Sequence, residues 1–207
     1  MKTFLIANPK GGSGKSTLAT NLAGWLASEG NHVMLGDIDR QQSSRAWLGL
    51  RPPALPRIDS WEIEDDQPAR PPAGTSHAVL DTPAGLHGKR LAQVLKVAER
   101  VIVPLQPSLF DILATQRFFD QLLAEKEVRK RHAFVAVVGM RVDARTRAAT
   151  ELERFLAASD LPVLAYLRDT QNYVQAAAHG MTIFDLPPSR AAQDRQQWQP
   201  ILEWIRD

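Results

Sequence analysis

One stretch near the start of the chain has the residue types and spacing for phosphate chemistry: Lys10-Gly11-Gly12-Ser13-Gly14-Lys15-Ser16-Thr17. The glycines let the backbone wrap an anion with its N–H groups turned inward, and the helix that follows adds positive potential at its N-terminus. Lys15 would reach the outer phosphates of a nucleotide, and the Ser16 hydroxyl would hold Mg²⁺. The strict phosphate-loop pattern asks for Gly five positions before Gly14. Pro9 stands there instead, and a second lysine, Lys10, is added. Further on, Asp37 and Asp39 lie two apart, and Asp81 closes the apolar run Val79-Leu80. Carboxylates at such strand ends can face a bound nucleotide and its metal. The competing use of an Asp pair after a strand is a helix cap or a turn.

These residues need elements to position them, and the apolar pattern supplies the elements. Residues 3–8 read as a strand apolar on both faces, and 16–29 as a helix with Leu18, Leu22, Trp25 and Leu26 in helical spacing, stopped by Gly30-Asn31. Strands follow at 33–36, 78–80, 101–105, 134–140 and 163–167, with helices at 111–125, 145–158, 173–179 and 190–206. Residues 51–76 break the rhythm. Pro52, Pro53, Pro56, Pro68, Pro71 and Pro72 crowd there beside Glu64, Asp65 and Asp66, which reads as a surface excursion holding an edge strand near 57–61. Trp47 and Trp61 border this segment and are expected to fold it onto the body. Strands alternating with helices predict an α/β fold, a mostly parallel twisted sheet with helices on both faces, in a single domain over residues 1–207. Ligands of such sheets bind beyond the carboxyl ends of the strands. The loops at 9–16, 37–44, 81–90, 104–111, 140–145 and 167–172 therefore belong to one surface.

Composition narrows the function. The 207 residues include no Cys, which removes disulfides, thiolate metal sites, iron–sulfur clusters and Cys nucleophiles. His32, His77, His87, His132 and His179 are scattered without ligand spacing. A net charge of +2 does not by itself point to nucleic acid, so any basic face must come from clustering. No targeting segment is visible and no run approaches the roughly 20 apolar residues of a membrane span, so a cytoplasmic protein is expected.

The loop with its extra lysine resembles the deviant Walker A motif of the ParA/MinD family of ATPases. The resemblance continues in Gly36-Asp37-Ile38-Asp39-Arg40-Gln41, similar to that family's Asp-x-Asp-x-Gln motif, and in Val79-Leu80-Asp81-Thr82-Pro83-Ala84-Gly85, similar to its Walker B strand and switch. Val103-Pro104-Leu105-Gln106-Pro107-Ser108 resembles the strand and turn that follow, and the segment from Arg168 to Gly180 resembles a late segment ending in a small-residue helix and Gly. The resemblance implies a phosphate-loop ATPase with ATP and Mg²⁺ as cofactors. Residues 11–17 would bind the phosphates, with Ser16, Asp37 and Asp81 around the metal, Asp81 as an outer-sphere acceptor. Asp39 would position the attacking water. Lys10 would cross the interface of a nucleotide sandwich homodimer and neutralise charge on the partner's transferring phosphoryl group, as an arginine finger does in trans. Met140, Arg141 and Arg168 are the candidates at the base.

Family members differ in what the ATPase drives. ParA-like members bind DNA non-specifically and position plasmids, chromosomes or other cargo with a ParB-like or other small adaptor. Arg168 matches a late-loop position where DNA-contacting arginines occur, and Arg145 and Arg190 are further candidates beside the cluster Lys126, Arg129, Lys130, Arg131 and His132. For each of these a solvated face or an ion pair is the competing use. Only nine residues precede Lys10, which argues against a site-specific DNA-binding domain ahead of the loop. A MinD-like membrane regulator would use the last helix, where Trp198, Ile201, Leu202 and Ile205 form a stripe. Its polar side carries Glu203, Arg206 and Asp207 rather than a run of lysines, which favours packing on the body. A metabolic ATP-dependent enzyme is the third reading, and no extra catalytic constellation supports it. The expectation is a small ParA-like, DNA-binding, cargo-positioning ATPase, nucleoid-associated when ATP-bound.

Overall fold

Strict alternation on the first strand sets the architecture. In β1 (Lys2–Ile6) and the residue after it, Phe4 and Ile6 join one apolar core while Leu5 and Ala7 join another. A strand buried on both faces must be covered by helices on both faces. The computed structural model describes residues 1–61, 63–64, 67–68 and 73–207. The chain runs on through α1 (Lys15–Ser28), β2 (Val33–Asp37), α2 (Ser43–Leu50), β3 (Ile58–Trp61), β4 (Ile63–Glu64), β5 (Gln67–Pro68), β6 (His77–Asp81) and α3 (Gly88–Leu95). It continues with β7 (Arg100–Leu105), α4 (Leu109–Ala124), α5 (Lys126–Arg129), β8 (Phe134–Gly139), α6 (Arg147–Ala157), β9 (Val163–Tyr166), α7 (Gln171–Ala177) and α8 (Pro188–Arg206).

Seven strands form one sheet in the order β3-β2-β6-β1-β7-β8-β9, and every neighbouring pair is parallel. β1 sits at its centre, flanked by β6 and β7, so the loops after β1, β2 and β6 open side by side at one end. On one face Leu18, Leu22 and Trp25 of α1 pack with Trp198, Ile201, Leu202 and Ile205 of α8. On the other, Leu91 and Val94 of α3 pack with Phe118 and Leu122 of α4 and Leu152 and Leu156 of α6. The α8 stripe foreseen in the sequence is thus buried in the body, and the helix starts at Pro188, where the ring suits a first helical turn.

Of the excursion after residue 51, the described segment 58–61 joins the sheet as expected. β3 is an edge strand, and Trp47 and Trp61 are buried in opposite cores. The hairpin β4–β5 follows, and Asp65 and Asp66 lie outside the described residues. The sequence reading missed α2, α3 and α5. Both α2 and α5 are short, and α2 takes its N-terminal cap from Asp37, six residues before its start, a pattern that local spacing does not reveal. The helix expected from 145 starts at Arg147, because Thr146 is the cap (its Oγ1 accepts from Ala149 N at 3.2 Å). Gly180 keeps its place for a steric reason: its φ is 64°, and a Cβ there would lie 2.3 Å from the carbonyl carbon of Leu50.

Candidate nucleotide-binding site

The loop between β1 and α1 is built from backbone conformations that suit glycine. Gly12 and Gly14 have φ of 74° and 97°, and a Cβ on Gly14 would come within 2.9 Å of the Met140 terminal methyl. Gly14 caps α1 without a side-chain bond, which leaves the first-turn N–H groups to a ligand. Asn8, fully buried, fastens the base of the loop: its Nδ2 donates to Pro104 O at 2.7 Å and Thr115 Oγ1 at 3.2 Å, and its Oδ1 accepts from Lys10 N at 2.8 Å. The Gly85 N–H donates to Pro9 O at 2.9 Å, which ties the loop after β6 to the phosphate loop. Gln106 donates to Gly12 O from the other side.

These ties open a cavity of about 590 Å³ lined by residues 11–17, by 38–41 and Ser43, by 83–85 and by Arg90. Gly11, Gly12, Ser13, Gly14, Lys15, Ser16, Thr17 and Asp39 are therefore brought together as the sequence predicted. Lys15 is 7% exposed, and its Nζ donates to Lys10 O at 2.8 Å and reaches Ser13 Oγ at 3.5 Å. Burial lowers the Lys15 pKa, while the charges of Asp81 and Asp39 push it back up. An anion with several oxygens is a better partner for this ammonium than one carbonyl.

Asp81 ends β6, the strand beside β1, and is 1% exposed. Burial raises its carboxyl pKa to about 6, against the hydrogen-bonding hydroxyls of Ser16 and Ser44 and the charge of Lys15, and with the charge of Asp37. The Ser44 hydroxyl donates to Asp81 Oδ2, while Oδ1 is buried and receives no well-formed hydrogen bond. A buried carboxylate oxygen with no well-formed hydrogen bond, beside the Ser16 hydroxyl, fits Mg²⁺ or its coordinated water. Among the described residues no group of three or more His, Cys, Asp or Glu is placed to hold a metal on its own. A Mg²⁺ here would take most of its oxygens from phosphate and water, which is its usual preference.

Asp37, expected near the metal, is the register partner of Asp81 on the neighbouring strand. It lines no part of the cavity, and both of its oxygens are engaged by backbone: Oδ1 accepts from Asp39 N at 3.0 Å, and Oδ2 from Ser44 N at 2.8 Å and Arg45 N at 3.3 Å. Burial raises its pKa against those three bonds. Asp37 is the cap of α2 and the brace of the Asp39 loop.

Met140, Arg141 and Arg168 meet in a second cleft of about 350 Å³, which adjoins the phosphate loop at Gly12, Gly14 and Thr17. Their roles in it differ. Met140 is packed beneath Gly14. Arg141 has a positive φ of 55° and pairs at the surface with Asp169 at 3.2 Å. Arg168 is tied to α8, with Nε donating to buried Asp194 at 2.6 Å and N–H to Gln197 Oε1 at 3.0 Å. Arg145 clasps its neighbour Asp143 at 2.9 Å, and Arg190 is held by Asn172 at 3.1 Å and by Gln175. The three arginines foreseen at DNA thus have partners inside the chain, whereas Lys126, Arg129, Lys130 and Arg131 are exposed. Sequence reasoning missed Asn8, Ser44 and Arg90, and gave Gln106 no role. Only the polar Asn8 ending an apolar strand left a local signal.

Residues 4–183 match the CobQ/CobB/MinD/ParA nucleotide-binding domain. The chain belongs to that family. It is a ParA/MinD-family ATPase. It is 28% identical over 206 residues to the maintenance of carboxysome distribution protein A of Gloeobacter kilaueensis, covering 98% of this chain and 93% of that one. Over 51 residues, 25% of this chain and 20% of the other, it is 45% identical to the chromosome-partitioning ATPase Soj of Thermus thermophilus. The same fold occurs in a plasmid partition protein of Borrelia burgdorferi solved with AMPPNP, with a TM-score of 0.72, 20% identity and 98% of each chain covered. It occurs again in the Pyrococcus furiosus cell division ATPase MinD, with a TM-score of 0.73, 16% identity, and 98% of this chain and 99% of that one covered. No helix among the described residues is long and apolar enough to cross a membrane.

Proposed function

We propose that this ATPase closes on ATP into a sandwich homodimer in which Lys10 of each protomer reaches the phosphates held by the other. In that state it binds DNA without sequence preference and positions a cargo. A small adaptor protein speeds a slow hydrolysis and releases it. The observation that carries the reading is Lys10. Its N–H and carbonyl are built into the loop, yet its ammonium has no hydrogen bond or ion pair among the described residues and does not line its own chain's cavity. A lysine fixed at the backbone and free at the charge is suited to a phosphate on a second molecule.

Within one protomer, Lys15 would leave Lys10 O for the outer phosphates, and the Ser16 hydroxyl with Asp81 would hold Mg²⁺ and its water shell. Mg²⁺ supplies charge neutralisation across the phosphates. Asp39, on the cavity wall, would orient the attacking water. The adenine would occupy the cleft of Met140, Arg141 and Arg168. The likeness to distribution and partition proteins supports a cargo-positioning output. The exposed basic residues at 126–131 are the surface offered to DNA phosphates; Arg145, at the opposite end of β8, would offer a separate contact if released from Asp143.

Fluorescence anisotropy on a random-sequence DNA duplex tests this, with ATP, ADP or no nucleotide across a salt series. Binding is expected with ATP alone, with log affinity falling linearly against log salt. Equal binding in all three nucleotide states would overturn the DNA reading. So would ATP-dependent sedimentation with anionic liposomes, or ATP-driven turnover of a small acceptor without any macromolecule.

A further inference from the structure

Asp37 and Asp81 are register partners on the adjacent parallel strands β2 and β6, so two carboxylates lie side by side at the sheet's carboxyl edge. Like charges so placed repel, and something must hold them apart. Ser44 stands between them. Its N–H donates to Asp37 Oδ2 at 2.8 Å, its hydroxyl donates to Asp81 Oδ2, and the residue is fully buried. A serine in the first turn of a helix usually turns its hydroxyl to solvent or back onto local backbone. This one points out of α2 to the end of another strand. Asp37 Oδ1 in turn accepts from Asp39 N, so one chain of hydrogen bonds runs Asp81–Ser44–Asp37–Asp39.

We infer that Ser44 is a positioning residue for the metal: by engaging Asp81 Oδ2 it leaves Oδ1 as the acceptor for Mg²⁺ or its water, and it couples that carboxylate to the loop carrying Asp39. The inference rests on the magnesium–nucleotide reading above. A hydrogen bond that orients a carboxylate near a metal changes metal affinity more than it changes ligand affinity without metal. A brace that only held α2 in place would change both alike.

The test is calorimetric titration of ADP into wild type, Ser44→Ala and Ser44→Cys, each in EDTA and in Mg²⁺. The cysteine variant fills the site with a slightly larger and much weaker donor, and serves if the alanine variant does not fold. Both variants are expected to bind ADP in EDTA within about twofold of wild type and to lose about tenfold or more of the gain that Mg²⁺ brings. A gain retained in full would overturn the inference. Affinities in EDTA and Mg²⁺ falling together would also overturn it, because that is the signature of a structural brace. A wild type that binds no ADP, or gains nothing from Mg²⁺, would instead overturn the parent reading.

Discussion

Asp81 and Asp37 are both acids at strand ends, and the structure gives them different work. Asp81 is buried with one oxygen unmatched, while Asp37 closes on three backbone N–H groups. Their residue types were legible in the sequence but their division of labour was not, because Ser44, which links them, announces itself only through a contact across 37 positions. Burial of Asp81 also has a measurable consequence. Its folded pKa of about 6 lies above the ordinary 3.8. A raised carboxyl pKa adds stability that is fully present below the ordinary value and is lost as pH rises through the folded one. Without Mg²⁺ and nucleotide, wild type is therefore expected to lose stability between about pH 4 and 6 relative to Asp81→Asn, by on the order of 3 kcal/mol. Urea unfolding across that range measures it. Parallel pH curves for the two proteins would show that Asp81 is not held at a raised pKa. Mg²⁺ with nucleotide should flatten the difference, since a cation favours the carboxylate.

At the scale of elements, the long periodic helices and the apolar strands were readable because their burial pattern is local. α1 and the α8 stripe follow from helical spacing, and β1 from alternation. α2 was not readable, since its start depends on a distant carboxylate and on Gln42 in a left-handed conformation. Arg168 teaches the same lesson. Its place in the chain suggested DNA, yet Asp194 of α8, fully buried, receives both Arg168 Nε at 2.6 Å and Asn172 Nδ2 at 2.6 Å. This arginine fastens the β9–α7 turn to α8. Removing the acceptor strands two donors, one on a side chain that is one-third exposed and so partly rescued by water; Asp194→Ala is therefore expected to cost about 2 kcal/mol, below the range for a fully buried pair. Chemical denaturation checks it, and a change within about 0.5 kcal/mol, the scale of an ordinary surface substitution, would deny the tether.

At the scale of the whole molecule, a central β1 places three strand-end loops around one cavity, and the phosphate loop holds a lysine that its own chain leaves unpartnered among the described residues. On the proposed reading, a net charge of +2 would suit release of DNA as well as binding: each protomer would offer a modest basic surface, and dimerisation would double it. Whether Lys10 acts on its own site or its partner's is the centre of the account, and subunit mixing decides it. If Lys10 acts in trans, Lys10→Ala keeps Asp39 and would need a lysine from its partner, whereas Asp39→Ala would offer that lysine but lack the proposed water-orienting carboxylate. Each variant alone is expected to be inactive in a steady-state ATPase assay with DNA and the adaptor. Mixed, they form dimers in which the Lys10→Ala protomer's site is complete, and turnover is expected to return to about a quarter of wild type, half the dimers being mixed with one working site in two. A mixture as inactive as its two components would contradict the account, because it would place Lys10 on its own chain's phosphates.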